Sequence, residues 1–510
     1  MDQTLADRVR AVQAVDAEAF AEQAAADADV VKSLLREGAF DNHRAVLGLE
    51  YEFYAAADGR WAEDEATDCT LMRVPRRLFD LLDFEKELGL HNAEMTTSPQ
   101  PFNEFGLAAQ AAEVRSHLQN ARDCTKAEGM RLVSDGIWTI PPAGETARDY
   151  LTDSVVDDGV RVAANMSDAV RYHAMANGEE METPLSVDAP HVDLAADTVM
   201  PESLITSIQP HYQISRAADL PRHHTYALRV AGPLLALGVN APFLPPDLYE
   251  DGVGAETILD DAYMEHRIAV FESVLNAGGA EKVTFPEDLD TVETAVDRIA
   301  GDDVVVPMPV DEGGDRFDDQ FPTFRAKHGT YWRWVRPVFG GPTRSAANAR
   351  IEFRPLPGQP TVSDTVAFLA AFAGLMAKLP RHSHPVEELC WADAESNFYA
   401  AMRDGLDAEL TWITDEGEQT TDTDELYADL LDAAADGLQL AGCSEAAAEA
   451  YLAPLRHRVE ARVTPASWQV DRVRSRLGDG EPFADAVQNT KREYVHRQRE
   501  TLLQGTFADW

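Results

Sequence analysis

Glu50 and Glu52 in GLEYEFY, and Arg350, Glu352 and Arg354 in ARIEFR, are charged residues two positions apart with apolar residues between them. A period of two is that of a β-strand, where successive side chains leave opposite faces. Leu47, Leu49, Tyr51 and Phe53 then share one face of the first strand and the carboxylates the other, while Ala349, Ile351 and Phe353 oppose the charged trio of the second. Carboxylates in a row repel one another, as guanidinium groups do, so the pattern calls for something of opposite sign between them. A polyphosphate with its magnesium ions has that composition. Taken singly, the carboxylate pair suits a solvated sheet face equally well, and Arg350, Glu352 and Arg354 suit an internal ion-pair ladder.

Composition decides how much a carboxylate pattern is worth. Asp and Glu number 89 against 44 Lys and Arg, only seven of them Lys, for a net charge of −45. This is a halophilic surface: at molar salt a Debye length of about 3 Å screens the mutual repulsion. Nucleic acid and anionic membranes are excluded as partners, because each needs a basic face. Glu-x-Glu recurs at Glu63/Glu65, Glu85/Glu87, Glu180/Glu182 and Glu416/Glu418, and all four read as solvated surface. Strand context sets Glu50/Glu52 apart.

Further segments offer polar groups on one side. HNAEMTTSP aligns Asn92, Glu94 and Thr96, and SIQPHYQIS aligns Gln209, His211 and Gln213 against Ile208, Tyr212 and Ile214. Pro210 cannot donate to a ladder and implies an edge strand or a bulge. His211 alone reads first as a hydrogen-bonded core histidine. TYWRWVRPV puts Arg333 and Arg336 on opposite faces, and ALGVNAPFL closes a helical run with an Asn240-Ala241-Pro242 turn. Activation of a carboxylate by ATP would unite these groups, since it needs oxygen ligands for a divalent metal and arginines for the phosphoryl group. Glu50, Glu52, Glu94 and Glu352 are hard ligands, His211 a borderline one, and Arg336, Arg350 and Arg354 phosphate clamps.

Other chemistries lack their signatures: there is no GxxxxGK[ST], complete GxGxxG, GxSxG or HExxH. His382 and His384 in HSH read as loop residues without a ligand role. The four cysteines are far apart without a Cys-x-x-Cys pair, which suggests neither disulfides nor zinc. The start MDQTLADRVRAV has no signal-peptide pattern, so a cytoplasmic location is expected. Val366 to Ala377 reads as a buried helix after a Ser363/Asp364 cap, too short to span a bilayer.

The elements that must position these groups form an α+β pattern. Residues 1–40 read as a helical N-terminal extension, 41–385 as an α+β catalytic domain, and 386–510 as a helical region interrupted by the acidic turn DEGEQTTDTDE. Stretches near 140–160, 177–200 and 308–322 read as long surface loops.

In order, the segments resemble the glutamate-cysteine ligase family of the bacterial and archaeal carboxylate-amine ligase type, within the glutamine synthetase superfamily. GLEYEF looks like the family's Gly-x-Glu-x-Glu strand, AEMTTSP like its Glu-Leu-Thr-Thr segment, IQPHYQ like its His-x-His strand and VNAPF like its Asn-Ser-Pro-Phe turn. ARIEFRPLPGQPTVSDTVAFLAAFAGL is similar to its Glu-x-Arg strand, turn and helix. ESNFYAAMRDGLDAEL is similar to a later helix, through Asn397, Ala401, Gly405 and Leu406. The resemblance implies a glutamine synthetase-like antiparallel sheet with a concave active site, flanked by helices. It also implies an ATP- and Mg2+-dependent ligase that phosphorylates the γ-carboxylate of glutamate and lets an amine such as cysteine displace the phosphate. Glu50, Glu52, Glu94, His211 and Glu352 would hold magnesium, and Arg354 would contact the nucleotide phosphates. Arg336 and Arg350 would add anion contacts, with Gln213 on the nucleotide side in place of a second histidine. Pro357-Gly358-Gln359 also lacks the acid of the family's Asp-x-Gln turn. Another acid or amine, or a non-catalytic nucleotide-binding paralogue, stays open as an alternative, as does a homo-oligomer.

Overall fold

β1 (Val46–Ala57) runs through an eight-stranded antiparallel sheet and takes partners along both edges. The computed structural model describes residues 4–60, 67–178, 184–276, 281–310 and 313–510. The other strands are β2 (Phe84–Lys86), β3 (Asn92–Thr96), β4 (Gln100–Pro101), β5 (Met130–Val133), β6 (Ile208–Ile214), β7 (Val335–Gly340) and β8 (Asn348–Phe353). Their order is β7-β8-β6-β1-β3-β2, with β4 and β5 also paired to β1.

Register follows from alternation. Leu47, Leu49, Tyr51 and Phe53 on β1, and Ala349, Ile351 and Phe353 on β8, are all buried. Each large apolar side chain contributes about 2 kcal/mol by burial, so a one-residue slip that exchanged them for Glu50 and Glu52 is ruled out. The apolar face packs against helices Glu104–Thr125, Leu220–Gly238 and Val362–His382. Phe353 stacks on Phe372 with ring centroids 4.4 Å apart.

Several local expectations are narrowed or corrected. Of the edge or bulge that Pro210 implied, the structure has the bulge, since Pro210 lies in β6 between β8 and β1, opposite Leu49. The missing donor is absorbed by the neighbour: five residue steps from Glu352 to Pro357 face four from His211 to Ser207, a bulge on the β8 side. The long apolar helix spans Val362–His382, and its cap is Thr361, whose hydroxyl accepts from the Asp364 amide. It is long and apolar enough to cross a membrane, yet it is mostly buried inside the protein. The stretch 140–160 holds helix Ala147–Thr152 and the hairpin strand Ser154–Asp157, and 177–200 holds paired Leu185–Ser186 and Ala195–Ala196, because short apolar alternations in these loops find partners.

The N-terminal region carries helices Leu5–Gln13 and Ala17–Arg36. Asp27 caps another element, accepting from the amides of Thr323 and Phe324 at 2.7 and 3.1 Å. That fixes helix Pro322–His328, whose last residue reaches the polar face of the sheet. Helices Thr423–Leu440 and Glu445–Ala461 pack on Val362–His382. Helix Phe483–Thr501 returns to the sheet through a buried Lys491–Asp135 ion pair.

Candidate active site

Strand pairing decides which polar side chains meet. Glu52 lies opposite Glu94 across β1 and β3, Glu50 opposite Gln209 across β1 and β6, and His211 opposite Glu352 across β6 and β8. Arg336 pairs with Glu352 from β7. Residues more than 300 positions apart thus share one polar face.

On the β7–β8 side the charges are matched. Glu352 receives Arg336 at 2.8 Å and Arg354 at 2.6 Å, and Arg354 also donates to Gln209 Oε1 at 2.6 Å. Burial pushes the Glu352 carboxyl up, but Arg336, Arg354 and His211 outweigh it and hold it well below the ordinary range. Burial likewise opposes ionisation of Glu50, and His211 and Arg336 again outweigh it to leave a lowered pKa. Glu50, His211 and Glu352 bring one ligand atom each to within 4.8 Å of one another, a grouping fit for a metal ion.

His211 carries a constraint that its sequence position does not disclose. Arg350 Nε donates to His211 Nδ1 at 3.1 Å. A neutral ring then bears its proton on Nε2, which lies 3.2 Å from Glu50 Oε1 and makes no hydrogen bond among the described residues. Ligation by Nε2 requires Arg350 to leave Nδ1, since a metal-bound imidazole donates from its other nitrogen.

On the β2–β3 side carboxylates gather with fewer cations. Glu52 accepts from the Ser207 amide at 2.7 Å and from Gln209 Nε2 at 2.9 Å. Burial and the charge of Glu87 nevertheless push it up to about 7. Glu94 is raised well above the carboxylate range by burial and by Glu50 and Glu87. Glu87, expected on the solvated surface, is hydrogen-bonded to Glu94 and raised by its own burial. Its neighbour Glu85 is exposed, as are Glu416 and Glu418, whereas Glu63/Glu65 and Glu180/Glu182 fall outside the described residues. Glu202, on a helical turn before β6, joins the group, raised well above the ordinary range by burial and then by Glu87 and Glu52. An all-oxygen set of this kind suits magnesium.

A cavity of about 440 Å3 opens beside the matched half, lined by Glu50, His211, Gln213, Arg336, Arg350 and Glu352. Arg316 and Arg325 also reach it, each held by Asp318 at 2.8 and 2.9 Å. Glu52, Glu94 and Arg354 stand next to it without lining it. Gln213 donates to the Arg44 carbonyl at 3.2 Å. Arg333 points away, to Asp302 at 2.7 Å.

Other motif residues are scaffold. Asn240 is buried and donates to Gly358 O and Tyr494. Gln359 donates to Gly238 O and receives Arg458, and Asn397 is bonded to Thr411. His382 is exposed, and buried His384 pairs with Asp429 at 3.1 Å. The cysteines are free. Cys69 nevertheless meets Asp68 and His496 in a second metal-capable grouping that no spacing announced, with Arg131 held 3.1 Å from Asp68 and burial pushing the thiol up to about 12.

Glu87, Glu202 and the Arg350–His211 bond escaped the sequence reading. For Glu87 the available signal was its position two residues beyond Glu85 in a strand-like run leading into HNAEMTTSP; the surplus of acid masked it.

No curated protein matches the chain. Solved structures similar to it include the glutamate–cysteine ligase of Francisella tularensis in complex with AMP, at 11% identity over 91% of each chain with a TM-score of 0.44. A bifunctional glutathione synthetase from Pasteurella multocida is 13% identical over 92% of this chain and 54% of that one, with a TM-score of 0.47. The ligase PafA in complex with the prokaryotic ubiquitin-like protein Pup gives 11% identity over 87% and 71%, with a TM-score of 0.41. The family model for glutamate-cysteine ligase family 2 matches residues 46–501, from β1 to the end of the last long helix. The chain therefore belongs to glutamate-cysteine ligase family 2, a family of carboxylate-amine ligases.

Proposed function

We propose that this protein is an ATP- and magnesium-dependent ligase that joins the γ-carboxylate of glutamate to the amine of cysteine through an acyl phosphate, giving γ-glutamylcysteine. The observation that carries the reading is the division of one polar face into two halves. Glu50 and Glu352 are held ionised beside arginines, whereas Glu52, Glu87 and Glu94 crowd together with raised pKa values. Crowded carboxylates of that kind are relieved by divalent ions, and the neighbouring cavity with Arg336 and Arg350 suits a nucleotide's phosphates. Bound magnesium–ATP would supply the phosphoryl group that turns a poor electrophile, the carboxylate, into an acyl phosphate with a leaving group.

In this reading Glu50, Glu352 and His211 hold one ion and Glu52, Glu87 and Glu94 another, while Arg336, Arg350 and Arg354 neutralise the transferring phosphate and Gln213 stands at the nucleotide end. Residues 41–385 are the catalytic unit, with 1–40 and 386–510 packed upon it. We place the enzyme in a salt-rich cytoplasm, acting on small molecules. Phosphate release at molar KCl with ATP, magnesium, glutamate and each amino acid in turn, followed by product mass, tests it. Release only with cysteine supports the full reading, and release with another amine replaces the substrate. Tight ATP binding without turnover on any pair would mean a nucleotide-binding paralogue.

A further inference from the structure

A second pocket, of about 330 Å3, opens at the β2–β3 edge and shares Glu87 with the carboxylate cluster. Three cations border it, Arg73, Arg76 and Lys86, a local excess in a chain of net charge −45. Lys86 is paired with Asp168 at 3.0 Å, and Arg73 donates to Asn165 Oδ1 at 3.0 Å. Arg76 is exposed and makes no hydrogen bond or ion pair among the described residues.

Two buried polar atoms lie at the same pocket without partners. Asn92 is 4% exposed and Ser167 3%, and neither Asn92 Oδ1 nor Ser167 Oγ has a hydrogen bond among the described residues. Leaving such atoms unsatisfied is costly, so buried groups of this kind are ordinarily bonded. Gly89 lets Asn92 pack this closely, since a Cβ there would stand 2.3 Å from Asn92 Oδ1. Phe79, Leu90 and Met166 supply an apolar wall.

Cations at the rim, bare acceptors at the floor and an apolar side together match the head of an α-amino acid, an anion and a cation on one carbon. We infer that this pocket seats the zwitterionic head of an amino-acid substrate, its carboxylate on Arg76 and Arg73, its ammonium on Asn92 Oδ1 and Ser167 Oγ, and its reacting end toward Glu87. The inference rests on the ligase reading for the presence of such a substrate, and it makes Arg76 and Ser167 specificity-determining residues.

The test is equilibrium binding to the full chain in molar KCl with magnesium and a non-hydrolysable ATP analogue. The probes are glutamate and 4-aminobutyrate, which lacks glutamate's α-carboxylate, and cysteine and cysteamine, related in the same way. Arg76→Gln is expected to weaken one of the two amino acids tenfold or more and to leave its decarboxylated counterpart unchanged. Ser167→Ala should weaken the same amino acid three- to tenfold. Whichever amino acid moves is the occupant. Binding of both within twofold of wild type in both variants overturns the inference, as does a wild type that binds neither. Turnover with unmoved binding removes the pocket alone. Moved binding without turnover on any pair removes the ligase reading and leaves the pocket.

Discussion

Glu52 and Glu94 are directly opposed on adjacent antiparallel strands, two half-buried carboxylates at one paired position. Like charges in that relationship repel, and burial raises the cost of ionising either. Glu52, at about 7, binds a proton in the folded state more tightly than the unfolded chain does. Its contribution to stability is therefore full below about pH 4.3, the ordinary glutamate value, and is lost as pH rises through about 7.

The first expected outcome concerns metal and pH together. In molar KCl with EDTA, Tm should fall between pH 5 and pH 8, and magnesium should flatten that fall because ions replace the protons. Scanning calorimetry with and without magnesium checks it. Equal melting temperatures at pH 8 would remove metal from this half of the site.

Removing the repulsion should separate stability from activity. Glu94→Gln is expected to leave Tm unchanged or raise it by a few degrees without metal, to abolish the magnesium-induced rise, and to cut turnover at least 100-fold. Arg354→Ala should lose turnover to a similar degree through Glu352 and Gln209, both of which it bonds. Far-UV circular dichroism confirms the fold. Full activity in either variant would take that residue out of the site.

The bond from Arg350 to His211 Nδ1 makes a directional prediction. Arg350→Gln releases the ring to place its proton on Nδ1, so half-saturation with magnesium should come at a several-fold lower concentration while KM for ATP rises. Magnesium titration of initial rates measures both. A higher magnesium requirement with an unchanged KM would refute the tautomer argument.

Gly358 tests the scaffold. A Cβ there would stand 2.2 Å from the Asp135 carbonyl oxygen, on backbone that cannot swing away. Gly358→Ala should destabilise by more than about 3 kcal/mol, read as a lowered urea midpoint or as insoluble protein. A wild-type midpoint would show that the loop after β8 is looser than its packing implies.

Much of the sheet was legible because strand alternation is a property of contiguous residues. Glu50 and Glu52 opposite Leu49, Tyr51 and Phe53, and Arg350 and Glu352 opposite Ile351 and Phe353, follow from a period of two and lie as that period requires. Pro210 narrowed the choice to an edge or a bulge and no further, because a proline's missing donor is a local fact while the bulge that accommodates it belongs to the neighbouring strand.

The amino-acid order by itself settled which side chains each strand turns to solvent or core, the acidic surface, and membership of a ligase family. Only the tertiary structure decided that Glu87 leaves the surface for Glu94, that Arg350 governs the His211 ring, and that Arg76 shares a pocket with Asn92 and Ser167. The reason is physical: facing direction depends on neighbours along the chain, but pairing of charges depends on strand order and crossovers spanning hundreds of residues. In a chain this rich in carboxylates, spacing cannot tell a paired acid from a solvated one.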